Sequence, residues 1–521
     1  MKTQKLLPMF FAVCLLASCG AAGLGTTNST ASSKSSGALS VGVFGTVVDK
    51  NGAPVSGVKI TAYWTNNHTS VTATTGSDGT YTLVGLGAGN STDYQIYAES
   101  SAYGFYPAVG SGSMLKADYN GLYKTVLHLP SVSATPIYGM NFTAYRTGDK
   151  VTSLPRTGQT ASYVAGDDAS ANKGVAWPGS RFTNNNDGTV TDGLTGLVWT
   201  KNAGCFSSGS WSGALTAANN LASGACGLTD GSTAGQWRMP NVNELESLVD
   251  VSQSNPALTA GHPFTNVANS YWSSTTYVAS PTNAMVIRFT DGRWINGNSV
   301  APYNNDKTTS LNTLWAVKSG NAGAVKLLTT GGYIVSATGD DAYHTCPFCE
   351  GTVNGIVNST VVGDAATLAN SAASPFPRFV DNGDGTLSDT ATGLVWLKKA
   401  DCINGTWSGA IASVNNLASG QCGLTDGSTA GKWRTPNRFE MLSIAERAAT
   451  FPIATYYDGI YGADGVTVTG PVVFTNFMAS QYYWTSTTDA ADVTQAWTVY
   501  SCDFGAYNIA KTAAGYSLAV R

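Results

Sequence analysis

The chain has 521 residues, a length that favours about three or four domains over a single hydrophobic core. Only 12% of its residues are charged, 59 are glycine and 10% are aromatic, a composition typical of secreted β-rich proteins and unlike that of a disordered chain. The formal net charge is -4 and no long Lys/Arg run is present, which argues against nucleic acid as a partner.

Residues 1–19 have the layout of an export signal. Lys2 and Lys5 precede an apolar run over residues 6–16, which is too short to remain as a membrane span. The ending "LASC" resembles the bacterial lipobox, which implies cleavage before Cys19 and acylation of that cysteine. We therefore expect an outer-membrane or cell-surface lipoprotein that contacts the membrane through this lipid anchor alone. A plain secretory signal is the alternative.

Two segments are predicted between this signal and the repeated part of the chain. Residues 20–40 are rich in small polar residues and predict a flexible tether. Residues 41–145 alternate apolar and polar positions, with turns at Asn51–Gly52 and Asp78–Gly79, and predict an all-β sandwich. The motifs "GTV", "PVSGV" and "DGTY" resemble the carboxypeptidase-regulatory-like, transthyretin-like family, which implies a spacer without catalysis of its own.

The rest of the chain is a duplication. Residues 154–319 (the first module) and 327–521 (the second module) repeat the same motifs in the same order, including "TGLVW", "WRMPN" or "WRTPN", and "YWSSTT" or "YYWTSTT". A nearly identical glycine-rich segment, here called the twin loop, occupies residues 221–235 and 417–431. The period is too long for a solenoid, so each copy is expected to have its own core. The second module carries an insertion around residues 343–374.

The segment "RFVDNGDGTLSD" at the start of the second module predicts a β-hairpin with a Gly-Asp-Gly turn. Calcium is the alternative, because Asp381, Asp384 and Asp389 supply spaced carboxylates, although the terminal glutamate of an EF-hand is missing. The bare hairpin is favoured. No other cofactor is expected.

Each module also predicts two helices beside antiparallel strands, an α+β arrangement. Trp211 and Trp407 begin one-sided apolar periodicities, with Thr406 as an N-cap and Gly420 as a stop. Two capping boxes open the second helices, at Asn241–Glu244 and Asn437–Glu440. Arg238 and Arg434, just before these boxes, are expected to pair with a buried carboxylate rather than to bind an anionic ligand.

The cysteines predict disulfides in an oxidising compartment. Cys205 and Cys226 flank the first Trp-led helix, as Cys402 and Cys422 flank its repeat. In the insertion, Cys346 and Cys349 form a CxxC, for which a local disulfide is favoured over zinc or a redox pair. These pairings leave Cys502 single.

Together the ordered motifs resemble the Lcl C-terminal domain family, over residues 154–521 and in two copies. The resemblance implies a C-type-lectin-like fold, and in the adhesin that names the family it implies binding of sulfated glycosaminoglycans and trimers. A sulfated ligand needs a basic surface, whereas this chain is slightly acidic overall. Homo-oligomerisation is left open.

The sequence thus predicts a non-catalytic binding or adhesion protein for a glycan or an extracellular polymer. The candidate ligand-binding residues are aromatic side chains that can stack on sugar rings, namely Trp272, Tyr277, Trp294, Trp484 and Trp497. One alternative is a structural part of a surface assembly that binds a protein partner. A formylglycine-generating type of enzyme is the less favoured alternative, since no nucleophile, base and orienting residue can be identified.

Overall fold

The structure is a computed structural model in which residues 39–521 form one compact unit. It describes residues 40–64, 69–87, 92–100, 102–107, 114–117, 123–129, 137–139, 141–146, 149–277, 280–295, 305–309, 312–330, 339–341, 352–353, 356–357, 370–372, 378–444, 474–478, 480–501 and 504–521. Within these ranges, no helix has both the length and the apolar character needed to cross a bilayer.

The N-terminal part is the predicted β-sandwich, built from two sheets. The first sheet has the order β4-β1-β10-β6, with β9 also paired to β1, and the second has the order β3-β2-β5-β8-β7. One apolar cluster takes side chains from both sheets, such as Val47 and Leu83 from the first and Ile60 and Ile96 from the second. The strands are β1 Ser40–Asp49, β2 Lys59–Trp64, β3 Thr69–Thr74, β4 Thr80–Gly87, β5 Thr92–Glu99, β6 Tyr103–Pro107, β7 Met114–Ala117, β8 Tyr123–Leu129, β9 Ile137–Gly139 and β10 Phe142–Arg146.

The predicted turn at Asp78–Gly79 requires its glycine. Gly79 has φ +74°, and a Cβ atom there would lie 2.5 Å from the carbonyl oxygen of Val47. That carbonyl belongs to the neighbouring strand, whose Val47 N–H donates to the Gly79 carbonyl over 2.8 Å. The turn is therefore part of the sheet packing and not merely a connection.

The first module follows the predicted order of hairpin, helices and strands. Its hairpin strands pair antiparallel and continue into a sheet of order β11-β12-β13-β17, and a second sheet has the order β14-β15-β16. The elements are α1 Asp168–Ala171, β11 Phe182–Asn184, β12 Thr189–Asp192, β13 Val198–Thr200, α2 Trp211–Asn219, α3 Val242–Leu248, β14 Ser270–Thr276, β15 Ala284–Arg288, β16 Arg293–Ile295 and β17 Val317–Lys318, followed by β18 Leu327–Leu328 at the start of the second module.

The second module repeats this plan, and its predicted hairpin is confirmed by the antiparallel pairing of β22 and β23. Its sheets have the orders β22-β23-β24 and β25-β29-β26-β27-β28. The elements are β19 Thr352–Val353, β20 Ile356–Val357, β21 Ser371–Ala372, β22 Phe379–Asp381, β23 Thr386–Asp389, β24 Val395–Leu397, β25 Ile403–Gly405, α4 Trp407–Asn415, α5 Arg438–Ser443, β26 Tyr482–Thr488, β27 Gln495–Tyr500, β28 Ala506–Ala510 and β29 Gly515–Ser517.

The helices begin where the capping residues predict. The Thr406 side chain accepts a hydrogen bond from the Gly409 N–H, and both Asn–Glu capping boxes are complete. The predicted end of α4 is wrong, because the helix stops at Asn415 and Gly420 lies in the next turn, where its N–H donates to Leu424. The chain turns as soon as Asn416 and Leu417 have satisfied the last carbonyl groups.

The two copies of the twin loop have nearly the same sequence because the backbone conformation of the loop restricts which residues can occupy it. In both copies all four glycines have positive φ, and so does the cysteine, with φ 55° at Cys226 and 52° at Cys422. A positive φ strongly favours glycine, so most alternative residues are strained there. The loop is anchored by buried Leu228 or Leu424 and by a serine hydroxyl that accepts from the following tryptophan.

The two modules share part of their core. Separate clusters surround helix α2 in the first module and helix α4 in the second, as expected for two copies. A further apolar cluster includes residues of both modules, for example Leu245 and Trp294 from the first and Leu442 and Trp497 from the second. The pair is therefore packed as one body over this region.

Candidate functional site

The five aromatic side chains proposed as sugar-stacking surfaces are in the core. Their exposed fractions are 0% for Trp272, 8% for Tyr277, 4% for Trp294, 0% for Trp484 and 1% for Trp497. The indole N–H groups of the first and fourth donate to the backbone carbonyls of Gly209 and Gly405. The prediction that these rings are ligand-binding faces is wrong, because all five side chains are buried in the fold.

The three carboxylates of the possible calcium loop do not converge. Asp384 accepts from the N–H and hydroxyl of Thr386, whereas Asp389 is paired with the buried Arg378 at 2.6 Å. Asp381 accepts from its own turn and from Lys398. In the part of the chain that the structure describes, no three His, Cys, Asp or Glu side chains are grouped to hold a metal ion. These residues stabilise the hairpin instead.

Two of the predicted disulfides are present, Cys205–Cys226 and Cys402–Cys422, with Cα atoms 5.5 and 5.7 Å apart. Each closes the segment that contains the Trp-led helix and links a twin loop, through the cysteine inside it, to the chain before that helix. Cys19, Cys346, Cys349 and Cys502 lie outside the described residues.

The arginines before the capping boxes are structural, as the sequence indicates. In the second module, both terminal nitrogens of Arg434 donate to the carboxylate of Glu440, at 2.5 and 2.6 Å. The same carboxylate accepts from the Asn437 N–H to complete the box. Arg238 and Glu244 form the equivalent pair in the first module. Each guanidinium is thus tied to a helix start.

An exchange of segments between the modules was not predicted. Residues 157–168, here called the first arm, belong to the N-terminal part of the first module but contact the second. The Thr488 N–H donates to the Gln159 side chain over 2.8 Å, and the Asn415 side chain donates to the carbonyl of Ala165 over 3.3 Å. These bonds join residues about three hundred positions apart and place the arm along strand β26 and helix α4.

The end of the first arm is buried in the second module. The Asp168 carboxylate accepts two hydrogen bonds of 2.6 Å, one from Thr487 of the second module and one from Thr157 at the start of the arm. Between them, the ring of Tyr163 lies 4.3 Å below the ammonium group of Lys511. The arm is therefore held by a carboxylate at one point and by an aromatic ring at another.

Residues 330–341, the second arm, make the reciprocal contact with the first module, as far as the structure describes them. The Asp341 carboxylate accepts from Thr275, which occupies the position in the first module that Thr487 occupies in the second. A Cβ atom at Gly339 would lie 2.5 Å from the side-chain nitrogen of Asn219, so the arm backbone is close to helix α2. Each module is thus completed by the N-terminal segment of the other.

One lysine in each module lies on the first tryptophan of its helix. The ammonium of Lys307 is 4.1 Å from the Trp211 ring, and that of Lys511 is 4.0 Å from the Trp407 ring. Burial lowers the pKa of Lys307 to about 8, an effect that nearby Asp340 opposes. Both lysines are partly buried and are engaged in cation–π contacts with these rings.

The end of the first arm and the residues that follow it form one wall of a cleft of about 850 Å³ on the second module, here called the basic cleft. Residues after the sandwich, residues at and beyond the end of the arm, and residues of the second module line it. They are Lys150, Ser153, Leu154, Gly166, Ala171, Lys173, Gly174, Val175, Thr392, Gly393, Leu394, Asn415, Gly431, Lys432, Trp433, Arg434, Glu440 and Arg521.

The cleft concentrates positive charge. Arg434 is neutralised by Glu440, and Arg521 forms an ion pair with Asp426 at 2.8 Å. The remaining three cations, Lys150, Lys173 and Lys432, are exposed, and within the described ranges no acidic side chain pairs with any of them. The local field is therefore positive although the whole chain is slightly acidic.

No motif in the sequence indicates this cleft, because its three lysines are isolated in the chain and come together only in the folded protein. The first module differs at the matching position: exposed Gln236 stands where the second module has Lys432. Its Lys318 replaces Arg521 and pairs with Asp230 in the same way. The two modules therefore share the ion pair, whereas the unpaired charge of Lys432 is not repeated in the first module.

Comparison with known families supports the domain composition. The model of the Lcl C-terminal domain matches residues 188–318 and 385–521, and that of the carboxypeptidase regulatory-like domain matches residues 42–119. A search of curated proteins found no match. This combination of domains suggests a surface or envelope protein.

Proposed function

Because the chain belongs to the Lcl C-terminal domain family, we propose that it is a non-catalytic adhesion protein of the cell envelope whose basic cleft binds an acidic extracellular polymer. The polymer class that fits is a polysaccharide with carboxylate or sulfate groups. The lipobox-like Cys19 would attach the protein to the outer membrane or cell surface, with the sandwich as a spacer.

The observation that carries this proposal is the set of three unpaired lysines around one cleft. A volume of about 850 Å³ is in the range of ligand-binding clefts and accommodates a short stretch of polymer. Lysines at the rim attract anionic groups and leave the polymer free to slide or shift register, which suits a repetitive ligand. None of the five aromatic residues predicted from the sequence lines this cleft, whereas the buried Trp433 does.

The first experiment compares polymers of different charge on the chain from Leu39 onward, which is the compact unit. Heparin, polygalacturonate and neutral dextran are tested for binding at low and physiological salt. The proposal predicts binding of one or both acidic polymers that weakens as salt rises, and no binding of dextran. Salt-independent binding of dextran, or no binding of any polymer by folded protein, would contradict it.

The lysine set is tested by the triple variant Lys150→Gln, Lys173→Gln, Lys432→Gln. Each exposed charge contact is worth about 0.2–1 kcal/mol, so affinity for the acidic polymer is expected to fall about tenfold. The control replaces three lysines outside the cleft, Lys59, Lys201 and Lys399, by glutamine and changes the net charge equally. An equal loss in both variants would show that overall charge, and not the cleft, determines binding.

A further inference from the structure

Asp168 is the buried end of the first arm. Its side chain is almost wholly shielded from solvent, and one carboxylate oxygen accepts both hydroxyl donors, Thr157 from the arm and Thr487 from strand β26. No lysine or arginine forms a salt bridge with this carboxylate among the described residues. Two neutral hydroxyl groups thus replace the water that an ionised carboxylate would otherwise bind.

The charged groups that face Asp168 come from the second module and from the arm itself. Burial raises the pKa of Asp168 to about 6, the two threonine hydroxyls oppose this rise, Glu440 adds to it and Arg434 opposes it. Because Arg434 and Glu440 neutralise each other, they do not supply a counter-ion. Two more charged groups lie near this part of the arm. Asp167 directly precedes Asp168 in the chain, and Lys511 lies over the ring of Tyr163.

Residues on both sides of this carboxylate line the basic cleft. Gly166, just before Asp168, and Ala171, Lys173, Gly174 and Val175, just after it, all line the basic cleft. The short helix α1 that begins with Asp168 connects the two sets. When the Asp168–Thr487 contact holds, the wall is held against the second module.

We propose that the first arm is a proton-operated latch on the basic cleft, closed when Asp168 is neutral and loosened when it is ionised. Burial of a neutral carboxyl group costs little free energy, and the group can itself donate a hydrogen bond to a threonine oxygen. An ionised one must either remain poorly solvated or leave the site. The proposed movement of the arm does not depend on the ligand, whereas its effect on ligand affinity rests on the proposed function.

The pH dependence of arm docking follows from the difference between the pKa of Asp168 in the docked arm and in the free arm. The carboxyl group titrates at a higher pH in the docked arm than in the free arm, so docking is strongest in acid and weakens as pH rises towards neutrality. Between pH 5 and pH 7.5 the docking equilibrium is expected to fall about tenfold, with little further change above. An acidic setting would close the cleft wall and a neutral one would release it.

The latch is tested by hydrogen–deuterium exchange on the chain from Leu39 onward, with rates corrected for the intrinsic effect of pH. Peptides that cover residues 157–175 should open about tenfold more often at pH 7.5 than at pH 5, while helix α4 stays unchanged. Asp168→Asn should remove this dependence. Equal opening at both pH values, or an unchanged dependence in the variant, would overturn the proposal.

A second pair of variants keeps the test informative if Asp168→Asn does not fold. Thr487→Val removes one donor to Asp168 and should move the midpoint of arm opening to higher pH, because the ionised form loses a hydrogen bond. Thr275→Val, at the equivalent position of the first module, should leave the midpoint for residues 157–175 unchanged. An unchanged midpoint in Thr487→Val would contradict the latch.

Polymer binding is measured separately, so its absence would contradict the proposed function while the exchange data still decide on the latch.

Discussion

At the scale of single residues, a buried charge pair joins the modules. Arg438 of the second module is fully buried and pairs at 2.8 Å with Glu246 of the first, and its guanidinium lies 4.1 Å from the Trp497 ring. Glu246 also accepts from the indole N–H of Trp294. The first module has Val242 at the position of Arg438, so the pair exists on one side only of this repeated interface.

Breaking this pair is expected to be costly. Glu246→Gln leaves the buried charge of Arg438 without its counter-ion and should lower the free energy of unfolding by about 3–5 kcal/mol. The double variant Glu246→Gln, Arg438→Met removes both charges and should be less destabilised than the single one. Urea unfolding measures the free energy of unfolding of the double variant and of each single variant, Glu246→Gln and Arg438→Met. A double variant as unstable as the sum of the two singles would show that the charges do not interact.

Single residues whose role is local could be predicted from the sequence. Both capping boxes and the Thr406 cap depend on neighbours within a few positions, so spacing alone identified them, whereas for Arg434 the sequence favoured a buried carboxylate without naming Glu440. The aromatic residues could not be assigned in this way. The sequence pattern around a tryptophan in a strand is the same whether that face of the strand is exposed or covered. The burial of Trp272 and Trp484 depends on helices that are distant in the chain.

At the scale of elements, the hairpin and the twin loop form one unit in each module. The Thr425 N–H donates to the carbonyl of Asp384 in the hairpin turn, over 2.8 Å. Gly385 of that turn lies so close to the loop that a Cβ atom would be 2.4 Å from the carbonyl oxygen of Gly423. The sequence predicted the hairpin from its turn, but not that the turn packs on a loop some forty residues later.

This contact predicts different effects for two glycines of the same turn. Both Gly383 and Gly385 have positive φ, but only the second faces the backbone of the twin loop. Gly383→Ala should therefore cost about 1–2 kcal/mol of stability, from backbone strain alone. Gly385→Ala should cost about 1–3 kcal/mol more, because the loop must shift. Thermal or urea unfolding of the two variants compares them, and equal costs would disprove the packing argument.

At the scale of the whole molecule, the exchange of arms makes the two modules interdependent. The duplication was readable from the sequence, since its motifs recur in order. The exchange was not, because the arms look alike, and pattern does not tell whether an arm contacts the module that follows it or the other one. The basic cleft depends on this choice, since it combines Lys150 and Lys173, which precede the first hairpin, with Lys432 of the second module.

The most direct measurement is the affinity of an acidic oligosaccharide for two charge-reversal variants, determined by calorimetry at low salt. Lys432 and Lys399 are exposed lysines of the same module, but only Lys432 lines the cleft. We predict that Lys432→Glu lowers affinity about tenfold and that Lys399→Glu changes it less than twofold. Equal losses in the two variants, or full affinity in Lys432→Glu, would show that the basic cleft is not the binding site.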